Sequence, residues 1–173
     1  MRQEKDAALD EKAKLLQNDA LPLLEELRGL GFDINSTCDF VNTATFYPIA
    51  VLILLKHLRK PYIDRNREAI ARALAVPGAA YAWPLLKEEY KLSPPSSGVK
   101  NGLAVALVAV DSEDFIEEII DLIRDKLNGE SQVILLQALR KSNSVSILAA
   151  LTELANDPVL AKEIAPWTFA EVR

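Results

Sequence analysis

Few side chains in this sequence are able to carry chemistry. Its 173 residues include one histidine, His57, and one cysteine, Cys38, which excludes an internal disulfide and any site built from several histidines. His57 closes the run Leu54-Leu-Lys-His-Leu58 on the side away from Val51, Leu54 and Leu58, a position that predicts a solvated helix residue. Cys38 has no histidine near it in sequence to activate it and reads as a buried, inert thiol. Carboxylates concentrate in Ser112-Glu-Asp-Phe-Ile-Glu-Glu-Ile-Ile-Asp121. Paired carboxylates can do acid–base work, but these alternate with apolar residues at helical spacing. Glu113 and Asp114 fall at a helix N-terminus, where the dipole favours negative charge, and Glu117, Glu118 and Asp121 cover an exposed face. Trp83 and Trp167 read as wedges at helix starts. These residues supply no catalytic, metal-binding or cofactor-binding set, so the chain reads as a non-enzyme with no cofactor.

Composition narrows the classes further. Half of the residues are hydrophobic, enough for one well-buried core over residues 1–173 and short for two. With 20 Lys+Arg against 25 Asp+Glu the net charge is −5, so no overall positive field draws the chain to nucleic acid or to an anionic membrane. The N-terminus MRQEKDAALDEKAK lacks the apolar centre of a signal peptide, and the longest apolar run, Tyr47 to Leu55, is too short to span a bilayer. A soluble, cytoplasmic protein is expected.

The elements that would position a binding surface are helices. In residues 1–45, Leu9, Ala13 and Leu16 share one face and Leu23, Leu27 and Leu30 another. They predict two amphipathic helices, the second N-capped by Asp19, with Pro22 in its first turn and Gly31 as its stop. Ser36-Thr-Cys-Asp39 predicts a capped turn whose Phe40 and Val41 fasten this cap and connector to the first repeat. Residues 46–165 then read as helix pairs: Tyr47 to Arg59 with Arg65 to Val76, Trp83 to Lys91 with Val99 to Val110, Glu113 to Leu127 with Glu130 to Ser142, and Ser144 to Ala155 with Pro158 to Ile164. Residues 166–173 form a tail. Proline opens several first turns, Tyr47-Pro48 and Trp83-Pro84 among them, because its fixed φ suits that position.

The pairs repeat. An Ile/Leu-x-x-Ala-Leu pentad occurs as Ile70–Ala73–Leu74, Leu103–Ala106–Leu107 and Leu135–Ala138–Leu139, separated by 33 and then 32 residues. Across the combined 65 residues, Val51, Leu54, Leu55 and Leu58 map onto Ile116, Ile119, Ile120 and Ile123. A period of this length with helical spacing inside each unit is the pattern of an α-solenoid, in which each pair leaves a hydrophobic face for its neighbour to cover.

Pairs of this length, with an Ala–Leu step in a second helix that opens on charged residues, resemble HEAT-like repeats. The runs YPIAVLILLKHLRKPYIDRNREAIARALAV, VKNGLAVALVAV, GESQVILLQALRKS and LTELANDPVLAKEI are similar to those of a group of small bacterial HEAT-repeat proteins. The resemblance implies a right-handed all-α solenoid of about four pairs with an N-terminal helical cap. Adaptor scaffolds, phycobilin lyase subunits, toxin-immunity proteins, alkylpurine DNA glycosylases and an iron-dependent hydroxylase share that architecture, which does not choose among them. The hydroxylase needs repeated His-Glu pairs that one histidine cannot supply. A glycosylase-like enzyme subunit or DNA-repair-type binder would use the second helices, which carry a net +4 over the three long ones against −3 over the first helices.

If Ile70, Ala73 and Leu74 point inward, the opposite face of that helix carries Arg65, Glu68, Arg72 and Ala75. Transfer along the repeat sets Asn101, Val105 and Val108, then Gln137 and Arg140, beside them. An apolar centre at Val105 and Val108 with an arginine-bearing rim has the composition of a protein-binding patch. The expected activity is that of a non-catalytic module that binds another protein, a bacterial immunity or inhibitor protein being one concrete form. Burial of Val105 and Val108 by the Ser93–Gly98 loop or by tight curvature of the array is the competing account.

Overall fold

The computed structural model describes residues 2–41, 47–110, 113–140 and 145–167. Among these the regular elements are helices, with no strand. They are α1 (Arg2–Gly29), α2 (Cys38–Val41), α3 (Pro48–Leu58), α4 (Asp64–Ala73), α5 (Trp83–Leu92), α6 (Gly98–Ala109), α7 (Ile116–Arg124), α8 (Ser131–Leu139), α9 (Val145–Leu154) and α10 (Pro158–Ile164). No helix among the described residues is long and apolar enough to cross a membrane.

Burial follows the repeat. All nine pentad positions are at most 1 % exposed, and the first-helix set Val51, Leu54, Leu55, Leu58, Ile116, Ile119, Ile120 and Ile123 is buried with them. In α5, Trp83, Leu86 and Tyr90 fill the places that Val51, Leu54 and Leu58 occupy 32 residues earlier. Each of α3, α5 and α7 packs on the helix that follows it, and α4, α6 and α8 pack in succession. The closest of these seams, α4 against α6, depends on glycine. A Cβ at Gly102 would lie 2.7 Å from the Glu68 carbonyl oxygen and 2.9 Å from Ala71 Cβ. The same seam carries a cap. Asp64, in the first turn of α4, accepts from the backbone N–H groups of Gly98 (2.7 Å) and Val99 (3.1 Å), satisfying two of the N–H groups that a helix start leaves without partners. Ser97 accepts from Lys100 N at the same helix start.

The N-terminal region departs from the two-helix expectation, because α1 runs unbroken from Arg2 to Gly29 with Pro22 inside it. Asp19 is therefore no N-cap. It accepts from Ile63 N (3.0 Å) and Asn66 Nδ2 (2.7 Å), clasping α1 to the turn before α4. Gly31 does stop the helix, at φ +89°, with its own N–H on Arg28 O and Phe32 N–H on Leu27 O. Leu23, Leu24 and Leu27 are buried, whereas Leu9 is 64 % exposed: α1 packs through its C-terminal half on α3 and α4. In the connector, Asp39 accepts from Asn35 N and Ser36 N, and Phe40 is buried, but Val41 and Cys38 are exposed. Cys38 is thus not the buried thiol expected from its type. The stretch Glu113 to Leu127 is likewise no single helix. Short 3₁₀ turns at Glu113–Phe115 and Lys126–Asn128 flank α7, and Gly129, at φ +62°, ends the second of them.

Candidate protein-binding face

The residues expected to form a docking face come from α4, α6 and α8, which the pentads hold side by side. On α4, Glu68 pairs with Arg65 (2.8 Å) and Arg72 (2.9 Å). The arginine side chains are 70 % and 40 % exposed and Glu68 only 13 %. Glu68 lies against the α6 backbone at Gly98, so it belongs to the α4–α6 crevice and not to the outward row where helical spacing put it. Asn101, Val105, Val108 and Gln137 are half-buried. Val108 rests against the core, as do Val133 and Ile134 of α8. The exposed Arg140 stacks over the Trp167 ring at 5.3 Å. Trp167 follows the C-terminus of α10, contrary to the helix start expected of it. The middle of the face, on α6 and α8, contains no carboxylate, and its only cation, Lys100, is turned inward.

Lys100 is 1 % exposed. Its ammonium donates to Tyr90 O (2.8 Å) and Ser93 O (3.1 Å) and lies 4.3 Å from the centre of the Tyr90 ring. It thereby caps the C-terminal carbonyls of α5, where a helix favours positive charge. Burial lowers its pKa. The Tyr90 hydroxyl continues inward to Ser131 Oγ (2.7 Å), which donates to Asn128 O, and Asn128 Nδ2 reaches Leu122 O. Burial pushes the Tyr90 phenol up to about 12. A signal for Lys100 was present, since it stands on the helical stripe of Leu103, Ala104 and Leu107. The hydrophobic-to-polar contrast hid it, because a lysine on an apolar stripe is ordinarily read as a surface residue.

His57 is the larger departure. Its side chain is fully buried, not solvated. Nε2 lies 2.8 Å from Glu26 Oε2, and Nδ1 lies 2.6 Å from the Tyr62 hydroxyl. Lys56 also bonds Glu26, at 2.7 Å. Hydrogen bonds from Lys56 and then His57 hold the Glu26 carboxyl down to about 2. Burial depresses His57. Sequence offers no hint of this cluster, because Glu26 stands 31 residues away in a different helix.

Ion pairs also join successive first helices. Arg59 bonds Glu88 and Glu89, and Arg124 donates to Glu153 from Nε, to both carboxylate oxygens, and from Nη2 at 2.7 Å. Lys87 and Trp83 Nε1 both donate to Glu118, and those bonds, Lys87 first, lower its pKa. Glu118 is therefore tethered, while Glu117 and Asp121 are exposed as the spacing predicted. Trp83 is a buried wedge stacked on Phe115 at 4.3 Å. A cleft of about 240 Å³ opens between the polar Arg124, Gln132, Glu153 and Asp157 and the apolar Ile123 and Leu154. Within the described residues no group of three or more His, Cys, Asp or Glu side chains is placed to hold a metal ion. Compared with protein-family profiles, with curated proteins and with solved structures, the chain matches none.

Proposed function

We propose that the helix pairs stack as a right-handed HEAT-like solenoid capped by α1, and that the protein is a non-catalytic module that binds another protein through its second helices. The half-buried Val105 and Val108 on α6, at the centre of a face whose α6 and α8 segments carry no carboxylate, carry this reading: apolar side chains left partly in water on a tightly packed scaffold favour a cover. Succession of α4, α6 and α8 under a 32- to 33-residue register supports the stacking. An immunity or inhibitor protein is one form such a module takes. The nucleic-acid alternative is weakened by the pairing of α4 arginines with carboxylates, Arg65 and Arg72 with Glu68 and Arg67 with Glu89.

Val105→Glu tests the face. It should leave the melting temperature within a few degrees of wild type and abolish a stoichiometric complex isolated from the native host, since a carboxylate would be stranded in a desolvated contact. Arg72→Ala should weaken the same complex. Unfolding by Val105→Glu would assign Val105 to the core, and a surviving complex would move binding to another surface.

A further inference from the structure

At the joint where α1 meets the body of the protein, a completely buried imidazole bridges two elements. His57, on α3, has Glu26 of α1 at one ring nitrogen and Tyr62 of the following turn at the other, at 2.8 and 2.6 Å. Glu26 is half-buried and Tyr62 likewise. The Lys60 ammonium stands 3.1 Å from Nε2, and Lys56 bonds the same Glu26 carboxylate. The arrangement is consistent with a neutral ring in which Nε2–H donates to Glu26 and the Tyr62 hydroxyl donates to Nδ1. A second proton on that ring would turn Nδ1 from acceptor to donor, so the Tyr62 hydroxyl would have to rotate and accept. It would also place a third positive charge beside Lys56 and Lys60, on a ring that is itself fully buried.

We infer that His57 is an acid-sensitive latch for α1: while the ring is neutral the N-terminal helix is clasped to the body, and protonation of the ring releases it. The groups facing the ring decide the direction. From α1 come Glu26 and, beyond Tyr62, Asp19; from α3 comes Lys56; and from the turn come Lys60 and Tyr62. From α4, Asn66 is uncharged and Arg67 is directed to Leu58 O and Glu89. Glu26 favours the charged ring, while burial and the two lysines oppose it, with burial the largest influence. The folded ring therefore holds its proton less tightly than a solvated one, and attachment is strongest above the ordinary value of 6.5. It weakens as pH falls below that value, because the detached form takes up the proton that the attached form refuses. The other clasp of α1, Asp19 on Ile63 N and Asn66, grips the same turn, so a shift of that turn loosens both. Release would bare Leu23, Leu24 and Leu27 together with the α3 surface beneath them.

Two measurements on the full chain test this. His57 is the only histidine, so its ring resonances report its titration without ambiguity. Hydrogen exchange, corrected for intrinsic rates, reads α1 separately from α4, α6 and α8. Between about pH 7.5 and about pH 5, protection of residues 20–30 should fall at least about tenfold while α6 stays protected, with a midpoint that tracks the imidazole titration. His57→Gln, which can still accept from Tyr62 and donate to Glu26, should abolish the pH dependence of α1 protection. An imidazole that protonates in this range while α1 remains protected would overturn the latch. So would loss of α1 protection without protonation, and so would an unaltered pH response in a folded His57→Gln protein. If His57→Gln fails to fold, the paired wild-type measurements decide alone.

Discussion

Removing the Lys100 ammonium would strip Tyr90 O and Ser93 O, at the C-terminal end of α5, of a charged donor. Lys100→Met keeps much of the aliphatic volume and loses those bonds, so it should cost about 1–3 kcal/mol in denaturant unfolding without changing helicity. A neutral or stabilising result would mean that water reaches those carbonyls. Tyr90, beneath it, makes an alkaline prediction. Its phenol is raised from 10 to about 12 in the folded protein, so the unfolded chain gives up that proton first. Its contribution to stability is whole below pH 10 and is lost as pH climbs toward 12, by about 2–3 kcal/mol in all. Chemical denaturation followed across that range should show stability falling with pH, and Tyr90→Phe should flatten the fall. Lys100 leaves a trace in the sequence through its place on an apolar stripe, although a lysine there reads as a surface residue. Tyr90 was visible as an aromatic in a helix, but the distant Ser131 that fixes its hydroxyl was not.

Between elements, the α4–α6 seam is set by what is missing from Gly102. Alanine there gains up to about 1 kcal/mol of helix propensity. Its Cβ would press on the Glu68 backbone at 2.7 Å, inside normal contact distance, and overpacking of this kind costs about 1–3 kcal/mol. Gly102→Ala should therefore be destabilising on balance. Gly29→Ala, with no heavy atom within 4 Å of the new Cβ, should be neutral or mildly stabilising. Thermal melts of the two variants make the comparison, and a stabilised Gly102→Ala would mean that the two helices stand further apart. Helix existence was readable from period and proline placement, and most pair boundaries fell within a few residues of α3 to α10. The failures at element scale share a cause. Pro22 and Asp19 are ordinary start signals, yet Pro22 lies inside a continuous helix and Asp19 is recruited by the turn before α4.

For the molecule as a whole, the net charge is −5, and ion pairs with carboxylates occupy Arg59, Arg65, Arg72 and Arg124. Binding to random duplex or single-stranded DNA should be undetectable at physiological salt. Tight binding that weakens steeply with added salt would favour the nucleic-acid reading over the protein-binding one.

The repeating helices and their inward faces were determined by sequence alone, because burial in a helix is a local periodicity: every third or fourth side chain shares a face whatever surrounds it. The same arithmetic put Val105 and Val108 on the outward face of α6, where both are half-buried and Val108 rests against the core. It could not place polar side chains, whose energies are settled by what lies across a helix seam. His57, alone on an outward-reading position, becomes buried because α1 folds back and brings Glu26 to it from 31 residues away. Glu68 turns into a crevice because glycine lets α6 approach. Apolar burial needs only some neighbour, whereas a buried charge or imidazole needs a particular one, and only the tertiary structure decides which that is.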